Sequence, residues 1–135
     1  MSREMDILLS SIWPIIKAGL LVTIPLSLIA FAIALVIAVV TALARISNYR
    51  LLRWLFGPYV WVFRGTPLLV QLFIIFFGLP KMGITLDAWA AAIITFSLNT
   101  GAYASESIRA SILAIPKGQW EAAQSLGMTY WQMLR

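Results

Sequence analysis

GLLVTIPLSLIAFAIALVIAVVTALA, residues 19–44, contains no Asp, Glu, Lys or Arg. With Ile15-Ile16-Lys17-Ala18 ahead of it, the apolar stretch 15–44 exceeds the roughly 20 residues an α-helix needs to cross a hydrocarbon core. A soluble helix needs polar side chains on about half of each turn, and residues 28–40 have none. Lys17 before an apolar run suggests a signal peptide. The run is too long for one, and no small-residue cleavage site interrupts it, so it reads as a retained spanning helix. Pro25 lies inside it and is expected to remove an intrahelical hydrogen bond and kink the helix. Phe31-Ala32-Ile33-Ala34-Leu35 and Ala38-Val39-Val40-Thr41-Ala42 offer small positions for close helix approach.

Outward from this stretch the composition is consistent. Of 135 residues 61% are hydrophobic and 11% charged, with a mean hydropathy of +0.92, too little charge for a soluble surface. The absence of Cys and His excludes disulfides, thiolate or imidazole metal sites and His-based catalysis. No GxxxxGK[ST] pattern cradles a nucleotide phosphate, and no cofactor is expected. The pI near 10.1 does not point to nucleic acid, because the cations bracket apolar runs instead of gathering on one polar face.

The reading is an all-α, polytopic transmembrane helix bundle in the lipid bilayer, one domain over 1–135, with three spans. The second span, 51–79, is interrupted by Arg64-Gly65-Thr66-Pro67; Leu79-Pro80-Lys81-Met82-Gly83 is a turn; the third runs over 88–115. Pro116-Lys117-Gly118 ends it, and 119–135 is amphipathic. With the N-terminus outside, the outer side holds Arg3, Lys17 and Lys81. The inner side holds Arg45, Arg50, Arg53, Arg64, Arg109, Lys117 and Arg135, a positive-inside arrangement with a cytoplasmic C-terminus.

An arginine beside lipid costs about 2.5–3.5 kcal/mol on insertion scales, so Arg64 needs a reason. Gly65 and Pro67 predict a helix break, since Pro67 lacks an N–H and drives Thr66 out of the helical region. A new helix over 68–79 would start there, with Pro67 in its first turn and Thr66 as its N-cap. Such a terminus presents unpaired N–H groups beside a fixed cation, and broken transporter helices use this feature for anionic substrate groups. Arg64 also fits an interface anchor at a re-entrant corner, with 51–63 along the membrane surface. Both readings stand at this point.

In the third span Asn99, Tyr103 and Glu106, with Thr100 and Ser107 beside them, share one helix face. Lipid cannot satisfy such a stripe, so it is expected to face the bundle interior or an aqueous path. Glu106 is the only carboxylate in a predicted span and stands i, i+3 from Arg109, so a structural ion pair is equally open. Beyond Pro116, Glu121-Ala122-Ala123-Gln124-Ser125-Leu126-Gly127 reads as a short helix ended by a left-handed glycine. Thr129-Tyr130-Trp131-Gln132 matches a capping box that restarts helix. Together they make a compact cytoplasmic knob with paired alanines for close backbone approach.

Ile115-Pro116-Lys117-Gly118-Gln119-Trp120-Glu121-Ala122-Ala123, with Gly127 following, resembles the EAA loop of ABC importer permeases. Phe63-Arg64-Gly65-Thr66-Pro67-Leu68-Leu69-Val70-Gln71-Leu72 and Asn99-Thr100-Gly101-Ala102-Tyr103 resemble signatures of the polar amino acid uptake permeases, in the family's order and spacing. The resemblance implies an outside N-terminus, usually five spans, and a permease working as a homodimer or a pair of related subunits in a bacterial cell membrane. It implies a coupling segment over 116–135, with Lys117, Gly118, Glu121, Ala122, Ala123 and Gly127, docking on a separate ATP-binding subunit. An extracytoplasmic amino-acid-binding protein would deliver the solute. Arg64, Gly65, Thr66, Pro67, Leu68 and Asn99 would contact its α-carboxylate and α-amino groups, with Gln71 and Tyr103 in the same motifs. Gly78 to Asp87 and Lys117-Gly118-Gln119-Trp120 look closest to cystine-type permeases. Two departures are visible. The family's motif continues into further spans while this chain stops at Arg135, so it reads as a fragment or truncated product. Gly101 stands where an alanine is usual, a change expected to loosen the helix slightly.

The leading expectation is therefore a permease subunit moving a polar amino acid inward by alternating access, not an enzyme. The alternative is a structural membrane subunit whose knob recruits a soluble partner. A channel would need rings of pore-lining groups, and an enzyme a nucleophile–base pair; neither pattern is present.

Overall fold

The computed structural model describes residues 3–134; Met1, Ser2 and Arg135, the last a cation in the topology count, lie outside the described residues. Those described are helical or in short turns, with no strand among them. Helix α1 (Arg3–Ala18) runs through a π-helical turn (Gly19–Thr23) into α2 (Ile24–Ile46), one continuous helix of 44 residues. The Pro25 effect takes the form of that π turn. The Ile24 N–H reaches back to the Gly19 carbonyl, and the extra residue widens the helix ahead of a proline that lacks a donor. No break follows.

Helix α3 (Arg50–Gly65) and α4 (Leu68–Phe73) meet at the Arg-Gly-Thr-Pro corner. A π turn (Ile74–Gly78) and a 3₁₀ turn (Leu79–Met82) extend α4, and Arg50–Gly65 and Leu68–Met82 are bent by 110° to each other. Gly83, at φ +84°, closes this segment, with its N–H on the Pro80 carbonyl. Helix α5 (Ala88–Leu113) begins at an N-cap the sequence reading had not singled out: Asp87 Oδ1 accepts from the Ala90 N–H at 2.9 Å. Helices α6 (Lys117–Ser125) and α7 (Tyr130–Leu134) complete the chain.

By length and composition one helix qualifies as a span, Arg3–Ile46, and two if the bent pair counts as one broken span. Helix α5 does not reach that standard on its own, because Asn99, Thr100, Glu106, Arg109 and several serines dilute its apolar content.

The core is the contact between α2 and α5. On α2 the buried positions are Ala30, Ala34, Ala38 and Ala42, one per turn, together with Thr41 and Ala44 near its end, while Leu28, Phe31, Leu35, Val36 and Val40 point outward. Small residues inside and large ones outside invert the soluble pattern and suit packing in lipid. Facing them on α5 are Ala91, Thr95, Gly101, Ala102 and Ser105. Ser97 Oγ donates to the Ala30 carbonyl across the seam at 3.2 Å, whereas Thr95 and Ser105 donate to Ala91 and Ala102 of their own helix at 2.6 and 2.8 Å. The small α2 positions foreseen in sequence matter through a four-residue period, with Ala32 left exposed.

Gly101 has a different role from the one its helix propensity suggested. A Cβ there would stand 2.8 Å from Ile37 Cγ2, 3.1 Å from Ile37 Cβ and 3.3 Å from the Ala34 carbonyl oxygen. The glycine does not loosen the bundle; it allows α2 and α5 to touch.

Ala30 lies against Ser97, Ile37 against Gly101, and Arg45 against Glu106. Residue numbers rise together along both helices, so α2 and α5 run parallel, and the chain between them must return to the starting level before α5 begins.

Candidate functional site

The corner at residues 63–68 leaves backbone carbonyls without helical partners, and side chains from two later segments satisfy them. Gln71, buried on α4, points its Nε2 at the Phe63 carbonyl (2.9 Å), the Thr66 carbonyl (3.0 Å) and Thr66 Oγ1 (2.8 Å). Asn99 Nδ2 on α5 donates to Gln71 Oε1 at 3.0 Å and to the Phe63 carbonyl at 3.3 Å. Tyr103 Oη donates to the Arg64 carbonyl at 3.3 Å, and Tyr59 Oη ties α3 to the Leu98 carbonyl at 2.6 Å. The break is thus a built corner, with its Phe63, Arg64 and Thr66 carbonyls satisfied by protein where lipid offers nothing. Replacing Gln71 by Leu removes the donor to the Thr66 carbonyl and one of the two to the Phe63 carbonyl, and leaves Asn99 without its amide acceptor. Such loss costs about 1–3 kcal/mol, and thermal unfolding of the purified permease in detergent should show a lower midpoint for Gln71→Leu.

The expected cap is not the one that forms. Thr66 Oγ1 donates back to the Val62 carbonyl at 2.8 Å, and Pro67 occupies the N-cap position of α4 with no side-chain cap. Pro67 holds Thr66 extended, at φ −120° and ψ 145°, which turns its hydroxyl toward α3 and away from the α4 amides. Leu68 therefore opens α4 with its first-turn N–H groups free of side-chain caps.

Arg64, at the end of α3, turns toward Tyr103 and Glu106 of α5. Its guanidinium carbon stands 5.3 Å over the Tyr103 ring, and Nη1 lies 3.7 Å from Glu106 Oε2. Glu106 in turn is held by Arg109 at 3.3 Å (Nε) and 3.2 Å (Nη2), and by Arg45 from the last turn of α2. One carboxylate thus meets three guanidiniums from three helices, leaving a positive excess. Arg45, Gly57, Val60, Trp61, Arg64, Gly65 and Glu106 line an open cavity of about 310 Å³, at the small end of the range for ligand sites.

Of the residues singled out in sequence, Arg64, Gly65 and Glu106 line this cavity. Thr66, Pro67, Leu68, Gln71 and Asn99 form the corner behind it, and Tyr103 bridges the two. Thr100 and Ser107 are exposed and join neither. Arg45 and Tyr59 went unselected in sequence, because nothing local ties Tyr59 to Leu98, 39 positions away, or Arg45 to the still more distant Glu106. Among the described residues no group of His, Cys, Asp and Glu has a metal-binding arrangement.

At the other end of α5, α6 finishes in a Schellman motif. Gly127 is left-handed at φ +75°, its N–H bonds the Gln124 carbonyl, and the Met128 N–H bonds that of Ala123. The glycine stop foreseen in sequence is therefore present. Half of the foreseen capping box forms: Gln132 Oε1 accepts from the Thr129 N–H at 2.8 Å and also takes the Thr129 hydroxyl at 3.1 Å. Trp120 stacks on Tyr130 at 6.4 Å between ring centres. Lys117, Gly118, Glu121 and Ala122 are exposed and Ala123 half-buried.

A long apolar helix packed in parallel on α5 through small residues, with a satisfied break between them, fits a membrane component. The chain belongs to the family described as binding-protein-dependent transport system inner membrane component, whose model matches residues 34–135. It is 55% identical over 129 residues to the L-cystine transport system permease protein TcyB of Bacillus subtilis, covering 96% of this chain and 55% of that protein. It is 45% identical over 123 residues to the arginine transport system permease protein ArtQ of the same organism, covering 90% and 56%. The crystal structure of an amino acid ABC transporter with histidines matches with a TM-score of 0.82 and 36% identity, over 96% of this chain and 60% of that one. The chain spans about half the length of the curated relatives it matches.

Proposed function

We propose that the chain forms the membrane-spanning permease of an ATP-driven importer for a polar amino acid, with L-cystine the foremost candidate, moved inward by alternating access. The observation that carries this reading is the Arg64 guanidinium. It stands beside an uncapped helix start and lines a polar cavity shared with Glu106. A solute α-carboxylate suits that pairing of fixed cation and free N–H groups. The candidate substrate-binding set is Arg64, Gly65, Thr66, Pro67, Leu68, Gln71, Asn99 and Tyr103, with Asn99 and Gln71 holding the corner's shape. The 96% coverage by an L-cystine permease supports the solute class.

The parallel run of α2 and α5 supports three crossings in this chain. Two helices can point the same way across a bilayer only if the chain between them crosses back, and Leu68–Met82 does so. The N-terminus then lies outside and α6 with α7 inside, in a bacterial cytoplasmic membrane. Partners are an ATP-binding subunit at Lys117, Gly118, Glu121, Ala122, Ala123 and Gly127, an extracytoplasmic amino-acid-binding protein, and a second permease subunit.

The test is uptake by the full-length permease carrying Arg64→Gln. A charge-assisted hydrogen bond contributes about 1.5–3 kcal/mol, so uptake at low solute concentration should fall about 10- to 100-fold, for any amino acid the transporter accepts. Undiminished uptake would return the corner to a purely structural role, that of a membrane anchor.

A further inference from the structure

We infer that Glu106 is a resident counter-ion occupying the solute-carboxylate position at Arg64 when no solute is bound, and that an arriving carboxylate takes Arg64 from it. The inference rests on the proposed function above and adds a residue that reads solute arrival. Its ground is the inequality of the three pairs. Arg109 holds Glu106 by two contacts of 3.2 and 3.3 Å and Arg45 pairs with Oε1, while Arg64 approaches only to 3.7 Å, about half an ångström beyond the Arg109 contacts. The Arg64 side chain is also the most open, 43% exposed against 31% for Arg109 and 23% for Arg45. A solute carboxylate making direct hydrogen bonds of about 2.7–2.9 Å therefore displaces the weakest of the three contacts.

The exchange strands no charge. A buried carboxylate stripped of its partner is costly, but Glu106 released by Arg64 keeps Arg45 and Arg109. Arg64, on losing Glu106, has gained the solute and retains the Tyr103 ring beneath it. Glu106 thus acts as a positioning residue, holding Arg64 in place in the empty site and transferring its own weight to Arg45 and Arg109 on filling. Arg109 lies in the last turns of α5, close before Pro116 and α6, so the transfer is felt at the end of the helix that leads to the coupling segment.

The test is equilibrium binding of radiolabelled L-cystine to the complete transporter in lipid nanodiscs, without ATP or binding protein. Glu106→Gln removes the competitor and should tighten L-cystine binding about two- to fivefold, the range of a part-exposed ion pair, whereas structural damage would weaken it. L-cystine dimethyl ester, which has no carboxylate, should compete equally well in both proteins. If Glu106→Gln does not reach the membrane, the charge-matched pair Glu106→Gln with Arg45→Gln carries the same expectation. Unchanged or weaker L-cystine binding in these variants, or equal tightening of the diester, overturns the inference. A separate arm addresses the parent reading: L-cystine binding that is absent in the unsubstituted transporter, or indifferent to Arg64→Gln, overturns the solute site itself.

Discussion

Gly101→Leu should prevent α2 and α5 from packing, leaving little folded permease in the membrane. Carbon atoms attract best at about 3.5–4.0 Å, and even a bare Cβ at residue 101 would stand 2.8 Å from Ile37 Cγ2 and 3.3 Å from the Ala34 carbonyl oxygen. Ile37 cannot swing aside freely, because a β-branched side chain in a helix is held to essentially one χ1 rotamer. The other neighbour is backbone. Gly101→Ala should therefore cost about 1–3 kcal/mol as an overpacked site, and leucine must force the helices apart. The measurement is the thermal midpoint of the purified full-length permease for Gly101→Ala, and membrane abundance for Gly101→Leu. Ile37→Ala should restore part of the loss in a double-mutant cycle, because the two residues touch. A Gly101→Ala protein as stable as the parent would show that the seam has slack, and the close-packing account would fall.

That glycine also marks where sequence reading ends. The composition of residues 19–44 and the spacing of alanines on α2 announce a lipid-suited helix with a small-residue seam, because both follow from local periodicity. Gly65 with Pro67 announces the corner, and Gly127 the end of α6, since backbone preferences are local too. What a helix glycine means is different. Propensity alone makes Gly101 a weakness, and only its partner Ile37, more than sixty positions earlier, makes it a requirement. Thr66 fails for a similar reason: its hydroxyl has two reachable carbonyl and amide environments, and the extended backbone before Pro67 selects the one on α3. Glu106 and Arg109 were legible as neighbours on one helix. Their meeting with Arg45 and Arg64 required the parallel register of α2 and α5, which no local pattern encodes. The polarity of α5, which keeps it below the standard of an independent span, is the same polarity that supplies Asn99, Tyr103 and Glu106 to the corner.

Glu121→Lys should sharply reduce solute uptake while ATP hydrolysis by the partner subunit continues. Helix α6 buries no residue, and Glu121 and Ala122 are exposed on it, so its surface is available to a partner. The helix is nonetheless firmly shaped, ended by the left-handed Gly127 and braced by the Trp120–Tyr130 stack. It follows α5 after a short link through Pro116, so force applied to α6 reaches the helix bearing Asn99 and Arg109. Glu121→Lys reverses one of the two charges α6 exposes, Lys117 being the other, and a basic partner surface would then meet repulsion in place of attraction, a change of several kcal/mol where like charges are juxtaposed. Uptake should fall at least about tenfold. Binding of labelled solute to the membrane subunits should stay at the parent level, because Glu121 lies beyond Pro116, outside the cavity at Arg64. Glu121→Gln should lose less than Glu121→Lys, since it removes the attraction without adding repulsion. Parent-level uptake in the lysine variant would reject the coupling role of α6, whereas loss of solute binding together with uptake would show the damage had spread into α5.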